Sequence, residues 1–121
     1  MKKRVLVVEN SPEILELITI LLTEEGYVVS PAISERNIFE QITEFNPDAI
    51  ILDIVKPTIE GTELCREIKA AEGTSHIPVI VLSTHPQIKK VKEVCADEVV
   101  EKPFDIDLLL EVLKESIHTN I

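Results

Sequence analysis

The sequence is poor in aromatic residues, glycine and long apolar runs, and each scarcity excludes a class of protein. Aromatic residues make up 3% of the 121 residues, and tryptophan is absent. Three glycines and seven prolines leave no room for a flexible low-complexity linker. No apolar run approaches the roughly 18 to 20 residues of a transmembrane helix. We therefore predict one globular domain spanning residues 1–121, with no membrane insertion.

A secretory signal peptide is also not expected. Lys2, Lys3 and Arg4 precede an apolar run of only residues 5–8. A signal peptide needs about 7 to 15 apolar residues at this point. The sequence thus predicts a cytoplasmic protein.

The chain is acidic, with a formal net charge of −10. Nucleic acids are bound by basic surfaces, so we expect no direct nucleic-acid ligand. An acidic module of this kind is better suited to a protein partner or to cations.

The two cysteines, Cys65 and Cys95, do not have the spacing of a metal site, and neither lies beside a histidine. We interpret them as two small buried thiols.

Short apolar runs predict strands that are buried on both faces. Residues 4–8, 49–52 and 79–82 are rich in β-branched side chains and continuous rather than alternating, as in parallel sheets. Residues 27–29 and 98–100 are weaker strand candidates. Helical patterns fill the intervals: Ser11 and Pro12 begin the first, which stops at Gly26. The others are predicted over residues 34–45, 64–73, 86–94 and 105–117, the last with Leu108 facing inward.

Alternating strands and helices indicate parallel pairing through right-handed crossovers. Five strands and five helices suggest an α/β, doubly wound, flavodoxin-like sheet. The established strand order of such sheets is 2-1-3-4-5, and their ligand sites lie outside the carboxyl ends of the strands.

Polar residues follow the predicted strands at that edge. Glu9 and Asn10 follow strand 1, Asp53 follows strand 3, Ser83 and Thr84 follow strand 4, and Lys102 follows strand 5. Because these ends are neighbours in the sheet, the residues should form one site.

The site suits phosphoryl transfer to a carboxylate. Asp53 can act as the nucleophile and form an aspartyl-phosphate. Two anions must then approach each other, so Mg²⁺ is expected, held by oxygens of Glu9, Asn10 and Asp53. Lys102 can bind the phosphoryl oxygens, and the Ser83 hydroxyl can donate a hydrogen bond to them, with Thr84 as its rival.

Four segments carry a family resemblance: residues 6–12 (LVVENSP), 51–57 (ILDIVKP) with the later Gly61, 78–84 (PVIVLST) and 101–104 (EKPF). Their types and order, from about residue 3 to residue 117, resemble the receiver domains of response regulators in two-component signalling.

The resemblance implies a switch rather than an enzyme. It would accept the phosphoryl group on Asp53 from a sensor histidine kinase or a histidine phosphotransfer protein. It would then act on a downstream output protein or a fused output domain. The resemblance also implies that the Val55 carbonyl is a further metal ligand and that the peptide before Pro103 is cis.

Three positions depart from the family pattern. Asn10 stands where an aspartate is usual, Val99 where an aromatic switch residue is usual, and Cys95 where a glycine is usual. If position 95 required a positive φ, cysteine would cost of order 1 kcal/mol there. The segment from Ser83 to Lys102 is also short, which predicts a stunted fourth helix.

These departures support an alternative, a phosphorylation-independent pseudo-receiver that serves as an interaction domain. An aspartyl-phosphate hydrolase of the dehalogenase type is disfavoured, because it needs an acidic residue where Val55 stands.

Overall fold

A computed structural model describes residues 2–119 of the chain. Its sheet has five parallel strands in the order β2-β1-β3-β4-β5, so the predicted order is confirmed. The strands are β1 (Arg4–Val8), β2 (Val28–Ala32), β3 (Ala49–Asp53), β4 (Val79–Ser83) and β5 (Glu98–Glu101).

Within residues 2–119, five α-helices connect and follow the strands. They are α1 (Pro12–Glu24), α2 (Ile38–Phe45), α3 (Glu63–Ala70), α4 (Val91–Val94) and α5 (Ile106–Thr119). A short 3-10 turn, Ile88–Lys90, leads into α4, which has only four residues as the short interval predicted. Within residues 2–119, no helix combines the length and the apolar character needed to cross a membrane.

The core consists of two apolar layers, one on each face of the sheet. Alternate residues of β1 enter different layers, since Leu6 and Val8 pack with α2, α3 and α4, whereas Val5 and Val7 pack with α1 and α5. Burial on both faces explains why the strands read as continuous apolar runs. The doubly wound prediction is confirmed.

Several element boundaries differ from the prediction. The second helix begins at Ile38 rather than at residue 34, because Asn37 adopts a left-handed conformation with φ of 56°. Strand β2 extends to Ala32 through Pro31, which is tolerated because β2 lies at the edge of the sheet. The fourth helix begins at Val91 rather than at residue 86.

Leu108, predicted to face inward, is 48% exposed. The core side of α5 is formed instead by Leu109, Leu113 and Ile117.

The prediction of two separate thiols is wrong. Cys65 of α3 and Cys95, which follows α4, form a disulfide. Their burial was expected, but their proximity was not, because 30 residues separate them in sequence and the fold brings their Cα atoms to 5.8 Å. Cys95 has a φ of −155°, so the cost considered for a positive φ does not arise.

Candidate functional site

The carboxyl edge of the sheet collects the polar residues that the sequence placed there. Asp53 and Ser83 are the last residues of β3 and β4, while Glu9 and Lys102 directly follow β1 and β5. Because β3 lies between β1 and β4, the Asp53 carboxylate sits at the middle of this edge.

Lys102 connects two acidic residues across the sheet. Its Nζ lies 2.9 Å from Glu9 Oε2, 3.1 Å from Glu9 Oε1 and 3.0 Å from Asp53 Oδ1. The side chains of Lys102 and Asp53 are 10% exposed, and that of Glu9 is 1% exposed. The three charges therefore form one compact cluster, in which Glu9 is buried while Asp53 and Lys102 each keep a small exposed surface.

The cluster holds Lys102 in its charged form. Burial by itself would lower the pKa of Lys102, but the hydrogen bonds and charges of Glu9 and Asp53 outweigh burial and raise this pKa above its ordinary value. The ammonium is therefore a fixed positive charge beside Asp53 at neutral pH. The Lys102–Pro103 peptide bond is cis, as the family resemblance implied.

Glu9 is directed into the edge of the sheet rather than towards solvent. Both of its carboxylate oxygens contact Lys102, and Oε1 also accepts a hydrogen bond from the Ser11 N–H at 3.3 Å. Its own backbone N–H donates to the Ala32 carbonyl at 3.0 Å, which continues the pairing of β1 with β2. Glu9 thus acts first as the partner of Lys102.

The structure separates the two hydroxyl residues after β4. Ser83 is buried, and its Oγ accepts a hydrogen bond from the His85 N–H at 3.1 Å, whereas Thr84 is exposed. The Lys102 N–H donates to the Ser83 carbonyl at 2.7 Å, so the backbones of these two residues are neighbours. This geometry favours Ser83 over Thr84 as the hydroxyl that could reach a group bound to Asp53.

A cavity of about 470 Å³ opens beside Asp53. Asn10, Asp53 and Val55 all line it, and these residues carry an amide, a carboxylate and a backbone carbonyl respectively. Oxygen donors of this mixed kind fit Mg²⁺, which takes few protein ligands and keeps several waters. Within residues 2–119, no three acidic, histidine or cysteine side chains form a metal cluster, so the amide and the carbonyl matter to this fit.

A tight loop after β3 forms one wall of the cavity. The Gly61 N–H donates to Thr58 Oγ1 at 3.0 Å, and a Cβ atom placed on Gly61 would overlap the Lys56 carbonyl oxygen. The loop can fold back on itself in this way only because position 61 has no side chain. The close approach of Gly61 to Lys56 therefore helps to set the position of Val55, which precedes Lys56 in the chain.

The sequence prediction missed two acidic residues of this cavity, Glu60 on the loop after β3 and, on another connection, Glu35. It lies in the connection between β2 and α2, which reaches the same edge of the sheet. Glu35 is an exposed residue, but the partial burial of its carboxyl group, followed by the negative charges of Glu63, Asp53 and Glu67, raises its pKa. Applying the strand-end rule to β2 could have found it, but the helix predicted from residue 34 placed Glu35 on a helix instead.

Comparison with known proteins gives one consistent result. Residues 5–114 match the family described as the response regulator receiver domain. The chain is 32% identical over 110 residues to the DNA-binding dual master transcriptional regulator RpaA of Synechocystis, covering 88% of this chain and 46% of RpaA. The chain spans about half the length of the curated relatives that it matches.

Solved structures agree with the sequence match. The response regulator TrrA of Thermotoga maritima, solved in complex with Mg²⁺ and BeF, superposes with a TM-score of 0.80 at 34% identity, covering 94% of this chain and 98% of that chain. The chemotaxis protein CheY4 of Vibrio cholerae superposes with a TM-score of 0.83 at 26% identity, covering 96% and 99% of the two chains.

Proposed function

Because this chain belongs to the response regulator receiver family, we propose that it accepts a phosphoryl group on Asp53 and signals through the change in shape that follows. The observation that carries the proposal is the position of Asp53 at the centre of the carboxyl edge, 3.0 Å from the Lys102 ammonium and beside an open cavity. A nucleophile, a fixed cation and access from solvent are thus combined at one carboxylate.

The transfer can be written for the atoms at this site. Lys102 binds Asp53 Oδ1, and Oδ2 accepts no hydrogen bond from residues 2–119, which leaves an oxygen lone pair available. This oxygen forms a bond to the phosphorus atom of the donor. The bond from phosphorus to the donor's leaving nitrogen or oxygen breaks, and its electron pair leaves with the donor.

We assign the cation site to the same cavity. Oxygens of Asp53 and Asn10 and the Val55 carbonyl would hold Mg²⁺, whereas Glu9, which the sequence also predicted as a ligand, contacts Lys102 and is not among the residues that line the cavity. A bound Mg²⁺ would reduce the repulsion between the carboxylate and the incoming phosphoryl oxygens. Support comes from the oxygen donors that share the cavity and from TrrA, whose structure contains Mg²⁺ and BeF.

Lys102 and Ser83 are the residues whose contacts are proposed to change when Asp53 is phosphorylated. Phosphorylation spreads negative charge onto three new oxygens, so Lys102 gains an acceptor that competes with Glu9. A backbone hydrogen bond keeps Ser83 and Lys102 adjacent, and we expect the Ser83 hydroxyl to turn from the His85 N–H towards the phosphoryl group. These two movements would shift the β4–α4 connection and alter the surface that a partner contacts.

The partners follow from the same proposal. The donor would be a sensor histidine kinase or a histidine phosphotransfer protein, and the target a downstream output protein or a fused output domain. We propose that residues 1–121 act as one receiver module without turnover on a separate substrate. Cytoplasmic location and the absence of direct nucleic-acid contact remain predictions for this module, since relatives such as RpaA are DNA-binding proteins of greater length.

A phosphorylation-independent interaction domain is the second candidate. It is favoured by the neutral, exposed Asn10 at the cavity and by Val99, which has no ring that could turn inward. The buried cluster of Lys102, Glu9 and Asp53 favours the first proposal, because an interaction domain has no need of a cation beside an accessible carboxylate.

Beryllofluoride, which mimics a phosphoryl group on a carboxylate, separates the two candidates. Amide NMR spectra of the wild type with Mg²⁺ and beryllofluoride should show shifts around Asp53, Ser83 and Lys102. Asp53→Asn, which keeps the shape of the side chain and removes its charge, should show none. A wild-type spectrum that does not change would support the interaction domain.

A further inference from the structure

The cation site described above is short of negative charge. Of the proposed oxygen donors that line the cavity, only Asp53 is a carboxylate, because Asn10 contributes a neutral amide and Val55 a carbonyl. The Glu9 carboxylate contacts Lys102 through both of its oxygens, so its charge is largely balanced by the ammonium. Mg²⁺ dehydrates reluctantly and gains most from anionic ligands. Another source of negative charge at this cavity would therefore strengthen binding.

Glu35 lies where such a charge would act. Its side chain lines the same cavity as Asn10 and Asp53, and it forms no ion pair with any residue in 2–119. Glu35 is an exposed residue, and the partial burial of its carboxyl group, followed by the carboxylates of Glu63, Asp53 and Glu67, raises its pKa, so other negative charges act on this carboxylate.

The local backbone keeps Glu35 at the cavity. Residues 33–37 do not form a helical turn, since Asn37 has a left-handed conformation and α2 begins only at Ile38. Within this connection the Arg36 N–H donates to Ser34 Oγ at 3.3 Å. Glu35 therefore lies in the connection at the carboxyl edge of the sheet and not on α2.

Two other charged residues of the cavity do not supply the negative charge that the cation site lacks. Lys56 and Glu60 both line the cavity, on the tight loop that ends at Gly61, and their opposite charges offset each other. The charge of Glu35 therefore adds to that of Asp53 in the net charge of the cavity.

We propose that Glu35 supplies the negative charge that Asn10 lacks and holds hydrated Mg²⁺ against Asp53 through bridging water. The inference rests on the proposed function and deepens it by adding a positioning residue for the cation. Charge attraction does not require direct contact, and Mg²⁺ in proteins keeps several bound waters. Both facts are consistent with a role through bridging water. For one carboxylate that acts across water, we expect an effect of about threefold to tenfold on the Mg²⁺ dissociation constant.

Calorimetric titration of the phosphate-free protein with MgCl₂ tests this without measuring activity. Glu35→Gln should raise the dissociation constant by about threefold to tenfold, and the charge reversal Glu35→Lys should raise it further. Glu44→Gln is the matched control, because Glu44 is an exposed carboxylate near the end of α2 that does not line the cavity. It should change the constant by less than about twofold.

The salt dependence of Mg²⁺ binding is a second measurement, and it would not change if Glu35 had only a structural role. The difference between wild type and Glu35→Gln should shrink in about 1 M NaCl, where the Debye length falls to roughly 3 Å. The metal-free Glu35→Gln protein should also be no less stable than the wild type, since the substitution relieves repulsion among carboxylates. Equal effects of Glu35→Gln and Glu44→Gln would overturn the inference.

Asp53→Asn distinguishes failure of this inference from failure of the proposed function. If Asp53→Asn abolishes Mg²⁺ binding while Glu35→Gln matches its control, the proposed function stands and the role of Glu35 is wrong. If the titration of the wild type shows no saturable Mg²⁺ binding, both the role of Glu35 and the proposed function are overturned.

Discussion

The Lys102 ammonium lies 2.9 Å from Glu9 Oε2, and the Glu9 side chain is only 1% exposed. An ion pair this deeply buried makes the stability of the fold depend on the same lysine that is proposed to bind the phosphoryl group. Removing one partner leaves the other as an uncompensated charge in a poorly hydrated site.

Lys102→Met should therefore lower the free energy of unfolding strongly, by about 3–5 kcal/mol. Urea unfolding at neutral pH measures this directly. The double variant Glu9→Gln/Lys102→Met removes both charges and should recover part of the loss. If Lys102→Met were as stable as the wild type, Glu9 would have to be hydrated or paired elsewhere.

The stabilising effect of Lys102 should disappear at high pH. Its pKa in the folded protein is raised above the ordinary value of 10.5, although burial alone would lower it, because Glu9 and Asp53 favour the charged form. A raised pKa means that the stabilisation is fully present below the unfolded-state value and is lost as pH rises through the folded-state value. The difference in unfolding free energy between wild type and Lys102→Met should stay constant to about pH 10 and shrink above it. A difference that grows with pH would contradict the assignment.

Asn10→Asp should strengthen Mg²⁺ binding. It adds a carboxylate to a cavity where Asp53 is the only charged oxygen ligand proposed to contact the cation directly. We expect the dissociation constant to fall by roughly tenfold, which corresponds to about 1.4 kcal/mol. The same change crowds carboxylates in the metal-free protein, so the metal-free variant should be less stable than the wild type. Calorimetric titration with MgCl₂ measures the dissociation constants of the wild type and of Asn10→Asp. Equal constants would show that Asn10 is not a ligand.

Gly61→Ala should distort the loop that carries Val55. The new Cβ atom would overlap the Lys56 carbonyl oxygen, so the backbone of the loop would have to shift. We expect a loss of about 1–3 kcal/mol in the free energy of unfolding. Gly73→Ala is the matched control, since a Cβ atom there meets nothing within 4 Å and should change stability by no more than about 0.5 kcal/mol. Similar losses for both variants would contradict the close approach.

The disulfide between Cys65 and Cys95 should stabilise the oxidised protein. It joins α3 to the end of α4 across 30 residues of sequence, which restricts the unfolded chain. Its reduction should lower the free energy of unfolding by about 2–4 kcal/mol. Urea unfolding with and without a reductant measures the effect, and Cys95→Ala should be insensitive to the reductant. A wild type with equal stability in both conditions would mean that the two sulfurs are not bonded.

The fold could be predicted from sequence because its strands are buried on both faces. Residues 5–8 and 79–82 are continuous apolar runs, and this pattern identified β1 and β4 almost to the residue. The edge strand β2 was placed too early, since Ser30 and Pro31 interrupt the apolar pattern although they pair with β1. The start of α2 depends on the left-handed Asn37, which a helical pattern does not reveal.

The site was predictable only where its residues directly follow strands. Asp53, Ser83 and Lys102 were placed correctly at one edge because parallel strands end together. The contact of both Glu9 oxygens with Lys102 depends on side-chain packing and could not be read from spacing. Glu35 and the Cys65–Cys95 disulfide depend on loop geometry and on the approach of distant helices, which a single sequence does not encode locally.

The central claim is that Asp53 is the phosphoryl acceptor, and intact-protein mass spectrometry after incubation with acetyl phosphate and Mg²⁺ tests it most directly. The wild type should gain the mass of one phosphoryl group, in a yield that rises with Mg²⁺, and Asp53→Ala should gain none. A wild type that stays unmodified at every Mg²⁺ concentration, or an Asp53→Ala variant that is modified to the same extent, would contradict the account.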